Sequence, residues 1–162
     1  MAKTLDKPSL YDTDYVAWLE EQAAHLRAGR LSALDVENVA EELEGLARSD
    51  RHKLANRLET LILHLLKWDH QPDQRSYRWR ASVAEQRRRI RRLLKESPSL
   101  RRSLEGAARE VYPDAIEQAA IETQLSETAF PATLPYSLEQ LFERELPAGE
   151  LPAQRLTRKK HR

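Results

Sequence analysis

The chain has no cysteine, which excludes disulfides, thiol catalysis and thiolate metal sites. It has four glycines in 162 residues, and none belongs to a Gly-rich loop that could cradle a phosphate. P-loop and dinucleotide fingerprints are therefore absent. No stretch approaches the ~18 consecutive apolar residues that a membrane span needs. The segment from Met1 to Leu10 lacks the apolar centre of a secretory signal. Strand-like alternation and Asn-Gly hairpin signals are missing, no internal repeat is found, and no Gly-x-Ser-x-Gly elbow marks a serine nucleophile. These absences leave one helical domain over residues 1–147, with a cytoplasmic setting as the simplest expectation. A basic tail at 148–162, polar and without periodicity, is expected to be mobile.

What is present is charge, sorted into blocks. The net charge of +1 conceals −7 over residues 12–50, +9 over 75–102, −8 over 103–151 and +5 over 152–162. Such blocks can neutralise one another within the fold or face partners.

Helical periodicity runs through almost the whole chain. Tyr15, Trp18, Leu19 and Leu26 recur at helical spacing, with Gly29 placed as a C-cap glycine. A second helix is expected to open at Ser32, with Asp35 completing a shortened capping box, and to carry Val36, Val39, Ala40, Leu43 and Ala47. Ser49 or Asp50 caps an expected third helix that runs to about Asp69 and stops before Pro72. Its near-continuous run Leu61-Ile62-Leu63-His64-Leu65-Leu66-Lys67-Trp68 makes it the central element. Ser76 caps a fourth helix with Trp79, Val83, Ile90 and Leu94 inward, ended by Ser97-Pro98-Ser99. A fifth carries Leu100, Leu104, Ala108 and Val111, and a sixth has Pro113 in its first turn. Beyond a link bracketed by Pro131 and Pro135, Ser137 and Gln140 form a capping box for a short last helix. The fold class is all-α: a single compact bundle of six or seven helices around the third.

Several ordered motifs point to a family. They are Leu10-Tyr11, Asp14-Tyr15 and Trp18; Leu34-Asp35-x-x-Asn38-x-x-Glu41-Glu42-Leu43-Glu44; His64-Leu65-Leu66-Lys67-Trp68; Gln71-Pro72; Trp79; Gln86-Arg87; and Pro98-Ser99-Leu100. Together they resemble the bacterial domain-of-unknown-function family number twenty-nine over roughly residues 10–146. Ala47 stands where that family suggests glycine, which bears on how the second helix ends. The resemblance implies a compact helical protein and no activity, so it carries over no catalytic residue.

On a helical wheel, Glu37, Glu41, Glu44 and Arg48 share one flank of the second helix. Arg80, Arg87 and Arg91 flank the fourth helix's apolar stripe, with Gln86 near its seam, while Arg88, Arg89 and Arg92 project to solvent. An interhelical Glu–Arg network is the expectation for the flanking residues, because arginine lays its stem on apolar surface and forks onto carboxylates. The alternative for Arg80, Arg87 and Arg91 is an anion site. The solvent-facing arginines fit a nucleic-acid contact, or merely a solvated face.

Arg57 and His64, seven apart on one face, resemble the Arg-and-His pair of the metal-independent ribonucleases built on higher-eukaryote-prokaryote nucleotide-binding domains. Arg and His at such gaps should occur about twice by chance in this composition, and do occur twice, as Arg57/His64 and Arg155/His161. No Glu-x-x-His pair is present, and His64 and His70 do not share a helix face, so no metal or other cofactor is expected. The expectation is an interaction or regulatory module with a protein partner rather than an enzyme. RNA or DNA binding through the arginine helix is the first alternative and a ribonuclease-like enzyme the second. No membrane partner is expected.

Overall fold

The computed structural model describes Ser9–Ala148 and Pro152. Every regular element among them is helical: α1 (Leu10–Thr13), α2 (Tyr15–Arg27), α3 (Val36–His70), α4 (Tyr77–Glu96), α5 (Leu104–Glu110), α6 (Tyr112–Thr123) and α7 (Leu138–Glu143), with short 3-10 turns between them. The all-helical class read from the sequence is what the chain adopts. The tail expected over 148–162 lies outside the described residues except for Ala148 and Pro152.

The residues fall into two compact units, one ending at Ser49 and the other starting at Asp50. In the first unit, α2 and the start of α3 form an antiparallel hairpin. The Tyr11 and Tyr15 hydroxyls each donate to Glu42 at 2.6 Å. Trp18 donates its indole N–H to Asp35 at 3.2 Å, and the Gln22 side chain accepts from the Asp35 backbone N–H at 2.8 Å. Earlier residues of α2 thus meet later residues of α3. Gly29 ends the first arm with φ +66, the left-handed conformation expected of a residue just past a helix. Asp35, not Ser32, caps α3: its carboxylate accepts from the Asn38 backbone at 3.4 Å and from the Asn38 side chain at 2.8 Å. Ser32 lies instead in a 3-10 turn, Leu31–Ala33.

The expected second and third helices are one. α3 runs unbroken for 35 residues. Ser49 and Asp50 do not cap, and Asp50 pairs with Lys53 at 2.9 Å. No proline interrupts this stretch, and Ala47 is a strong helix former where glycine would have offered a stop.

In the second unit, the C-terminal half of α3 is the centre of the core. Leu54, Leu58, Leu61, Ile62, Leu65, Leu66 and Trp68 are buried. Val83 and Ile90 of α4, Ala108 of α5, Ala115 and Ala119 of α6, and Leu141 of α7 join the same cluster. Ser76 caps α4, accepting from the Trp79 N–H at 3.3 Å. The expected fifth helix begins as a 3-10 turn, Pro98–Ser103, in which the Ser103 hydroxyl donates to the Leu100 carbonyl at 2.9 Å, a local bond that competes with α-helical pairing. α6 has Pro113 in its first turn, and α7 has the Ser137–Gln140 capping box.

Candidate functional site

Three features of the described residues could carry function: a partly buried charge cluster, the arginine face of α4, and an apolar face on the first unit.

The charge cluster grows from the apolar run of α3. Lys67 is 8% exposed, ion-paired to Glu122 of α6, and its ammonium lies 4.7 Å from the Trp79 ring centroid. Gln118 also donates to Glu122, at 2.9 Å. One turn before Lys67, His64 places Nδ1 2.8 Å from the Thr60 carbonyl. Burial pushes the His64 imidazole below its ordinary value, with Lys67 adding to the effect against the Thr60 carbonyl and Glu122. Burial thus favours the neutral imidazole, in which Nδ1–H is the donor to the Thr60 carbonyl. Asp69 accepts from Arg144 at 2.6 and 2.8 Å and from the Tyr136 hydroxyl at 2.8 Å. A charged residue inside an apolar run, as Lys67 is, was the one sequence sign of this cluster, since such a charge must be paired. Its partners Glu122, Arg144 and Tyr136 lie more than 50 residues away and left no mark on the local pattern. No group of three His, Asp or Glu side chains that could hold a metal ion is found among the described residues.

The arginines of α4 divide by partner. Arg87 donates to the Gln140, Leu141 and Arg144 carbonyls at 3.2, 2.7 and 2.7 Å. Arg91 donates to the Phe142 carbonyl at 2.9 Å and to Glu143 at 3.0 Å. Both thus cap the C-terminal end of α7, whose last carbonyls have no partner within the helix. Within the first unit, Glu41 and Glu44 pair with Arg48 on their own helix, at 2.7 and 3.7 Å, and Glu37 is exposed. Arg80 is exposed and lines a separate hollow with Arg87 and residues 145–148. Replacing Arg87 by Met should therefore act locally. Amide exchange across Leu138–Glu143 should speed up well before the α3 core is affected, and uniform acceleration along the chain would mean that Arg87 holds more than α7.

Arg88 and Arg89 project to solvent as expected, and both pair with Glu85. They hold the Glu85 carboxyl down at about 2. Together with Arg92, Lys53 and Arg57 they line a groove of about 300 Å3 between α3 and α4. Arg57 donates to the Gln86 amide oxygen at 3.5 Å. His64 is not among the groove's lining residues, so the Arg57/His64 pair read from the sequence does not share this hollow.

The first unit keeps little of its apolar surface to itself. Trp18 and Gln22 are its buried residues among those described. Val16, Leu19 and Leu26 of α2, and Val36, Leu43 and Leu46 of α3, are 40–67% exposed. With Ala23 and Val39 they form two series, 16-19-23-26 and 36-39-43-46, each spaced three, four, three. That is the seam spacing of packed helices. At about 100° per residue, each series lies on the same flank of its helix, roughly a quarter turn from the residues that join the hairpin. Antiparallel pairing turns both flanks to one side. The sequence places Leu19, Leu26, Val36 and Leu43 on apolar helical stripes, and in the fold these four are exposed.

The motif residues that suggested a family have structural positions. Tyr11, Tyr15, Trp18, Asp35, Asn38 and Glu42 make the hairpin joint, and His64, Lys67 and Trp79 belong to the charge cluster. Residues 10–146 match the model of the family described as Domain of unknown function DUF29. No curated protein and no solved structure matches the chain.

Proposed function

We propose, from the premise that the chain belongs to the DUF29 family, a domain of unknown function, that this protein is a helical interaction module that docks on a partner protein through its first unit. The observation that carries the proposal is the apolar face of the α2–α3 hairpin. A unit of about forty described residues that buries one large apolar side chain cannot draw much stability from its own core. Six exposed aliphatic side chains on one side amount to several hundred Å2, approaching the ~800 Å2 per partner of a standard interface. The seam spacing fits a partner that presents amphipathic helices, which a second copy of the chain could itself supply.

A cytoplasmic setting goes with this proposal on the sequence alone; among the described residues, no helix is long and apolar enough to cross a membrane. An enzyme working through Arg57 and His64 has less support, because the groove that holds Arg57 does not include His64.

Site-specific photocrosslinking from position 43 in the native host is the test. Adducts to another protein, or to a second copy, should form from position 43 and be lost when Leu46 is replaced by Asp. Adducts confined to residues beyond Asp50 of the same chain, or no more adducts than from exposed Arg102, would overturn the proposal.

A further inference from the structure

We propose that the groove between α3 and α4 is a phosphate-binding site. It lies wholly in the second unit, and its cations come from two helices, Lys53 and Arg57 from α3 and Arg88, Arg89 and Arg92 from α4. A solvated helix face gathers its charges on one element; here five cations from two elements line one hollow. Three of the five already have carboxylates. Lys53 pairs with Asp50, and Arg88 and Arg89 share Glu85. Asp50 and Glu96 also line the groove. Among the described residues Arg57 and Arg92 form no ion pair. Arg57 is half-buried, and its hydrogen bond to neutral Gln86 is long.

Counting Asp50, Glu85 and Glu96 against the five cations leaves a surplus of two positive charges. A phosphate monoester carries about −1.5 to −2 at pH 7. Guanidinium is the side chain whose fork matches phosphate oxygens in pairs. Arg57 and Arg92, on opposite walls, are the groups with donors to offer.

Phosphate could arrive on a small molecule or on a nucleic-acid strand. A second hollow, lined by Arg91 and Lys95 and sharing Arg88, Arg92 and Glu96, adjoins the first and would extend the contact along a strand. The groove chemistry is the same in both cases.

Calorimetric titration of the full chain with pyrophosphate, and separately with single-stranded oligouridylate, at low salt tests the proposal. Three variants are compared with the wild type: Arg57→Gln with Arg92→Gln, Arg92→Gln alone, and Arg101→Gln with Arg102→Gln. The last is charge-matched, exposed and outside the groove. The basic C-terminal tail is common to all, so its contribution cancels. Losing two charge-assisted phosphate contacts should weaken binding about 10-fold or more in the first variant, with a change of less than about 2-fold in the Arg101/Arg102 variant. Arg92→Gln alone keeps the test valid if the half-buried Arg57 proves necessary for folding; it should weaken binding several-fold. This pattern with pyrophosphate assigns the groove to small phosphorylated ligands, and with oligouridylate alone to a strand backbone. No binding of either probe, or equal losses in the groove and control variants, would overturn the site.

Discussion

Leu65→Ala should lower the unfolding free energy by about 2–5 kcal/mol, the largest single effect expected in this protein. Leu65 is 0% exposed and sits among Leu61, Ile62, Leu66 and Trp68 at the centre of the second unit's core. Deleting its isobutyl group removes apolar burial and leaves a cavity. The core cluster it belongs to also draws on α4, α5, α6 and α7, and interlocked helices can close such a space only partly. Urea denaturation of wild type and variant measures the difference. An unchanged midpoint would mean that this face of α3 is not buried and that the architecture of the second unit is wrong.

Asp69→Ala should cost about 2–3 kcal/mol at neutral pH. This is less than the ~3–5 kcal/mol for breaking a fully buried pair, because Asp69 and Arg144 are each partly exposed. The variant takes away two hydrogen bonds from Arg144 and the acceptor of the buried Tyr136 hydroxyl. The cost should also depend on pH. Burial pushes the Asp69 carboxyl up, but the hydrogen bonds from Arg144 and Tyr136 bring it below its ordinary value of 3.8. A carboxyl depressed on folding contributes its full stability above the unfolded value and loses it as pH falls through the folded one. The gap between wild type and Asp69→Ala should therefore be full at pH 6–7 and narrow below about pH 4. A gap that stayed constant down to pH 2 would show that the carboxylate's charge contributes nothing.

Much of this architecture was legible locally. The caps at Ser76 and Ser137, the glycine stop at Gly29, Pro113 in the first turn of α6 and the apolar run of α3 are short-range signals. Each is decided by backbone geometry within a few residues. The join of two expected helices into α3 was not legible in this way. Ser49 and Asp50 are acceptable caps and also acceptable helix-interior residues, and the uninterrupted helix pairs Asp50 with Lys53 instead.

The candidate sites were legible as residue types but not as partners. The wheel placed Arg88, Arg89 and Arg92 outward, where they lie. It also placed Arg87 and Arg91 beside an apolar stripe, and charge balance then suggested carboxylates. A wheel describes one helix and says nothing of which element packs against it. In the fold the neighbour is the end of α7, which offers backbone carbonyls to both arginines and the Glu143 carboxylate to Arg91. Lys67 stands in the apolar run of α3, while its partner Glu122 is 55 residues away.

By itself, then, the sequence determined the helical class, most helix ends, the central run of α3, the family and the arginine face of α4. These depend on periodicity and on turn chemistry, which act over a few residues. Tertiary structure alone decided that Arg57 shares one groove with Arg88, Arg89 and Arg92, that Arg87 and Arg91 cap α7, and that the two apolar series of the hairpin face the same way. Each is a relation between helices. Their side chains can meet only after the chain has folded back on itself, and which residues then face each other depends on packing among elements distant in sequence.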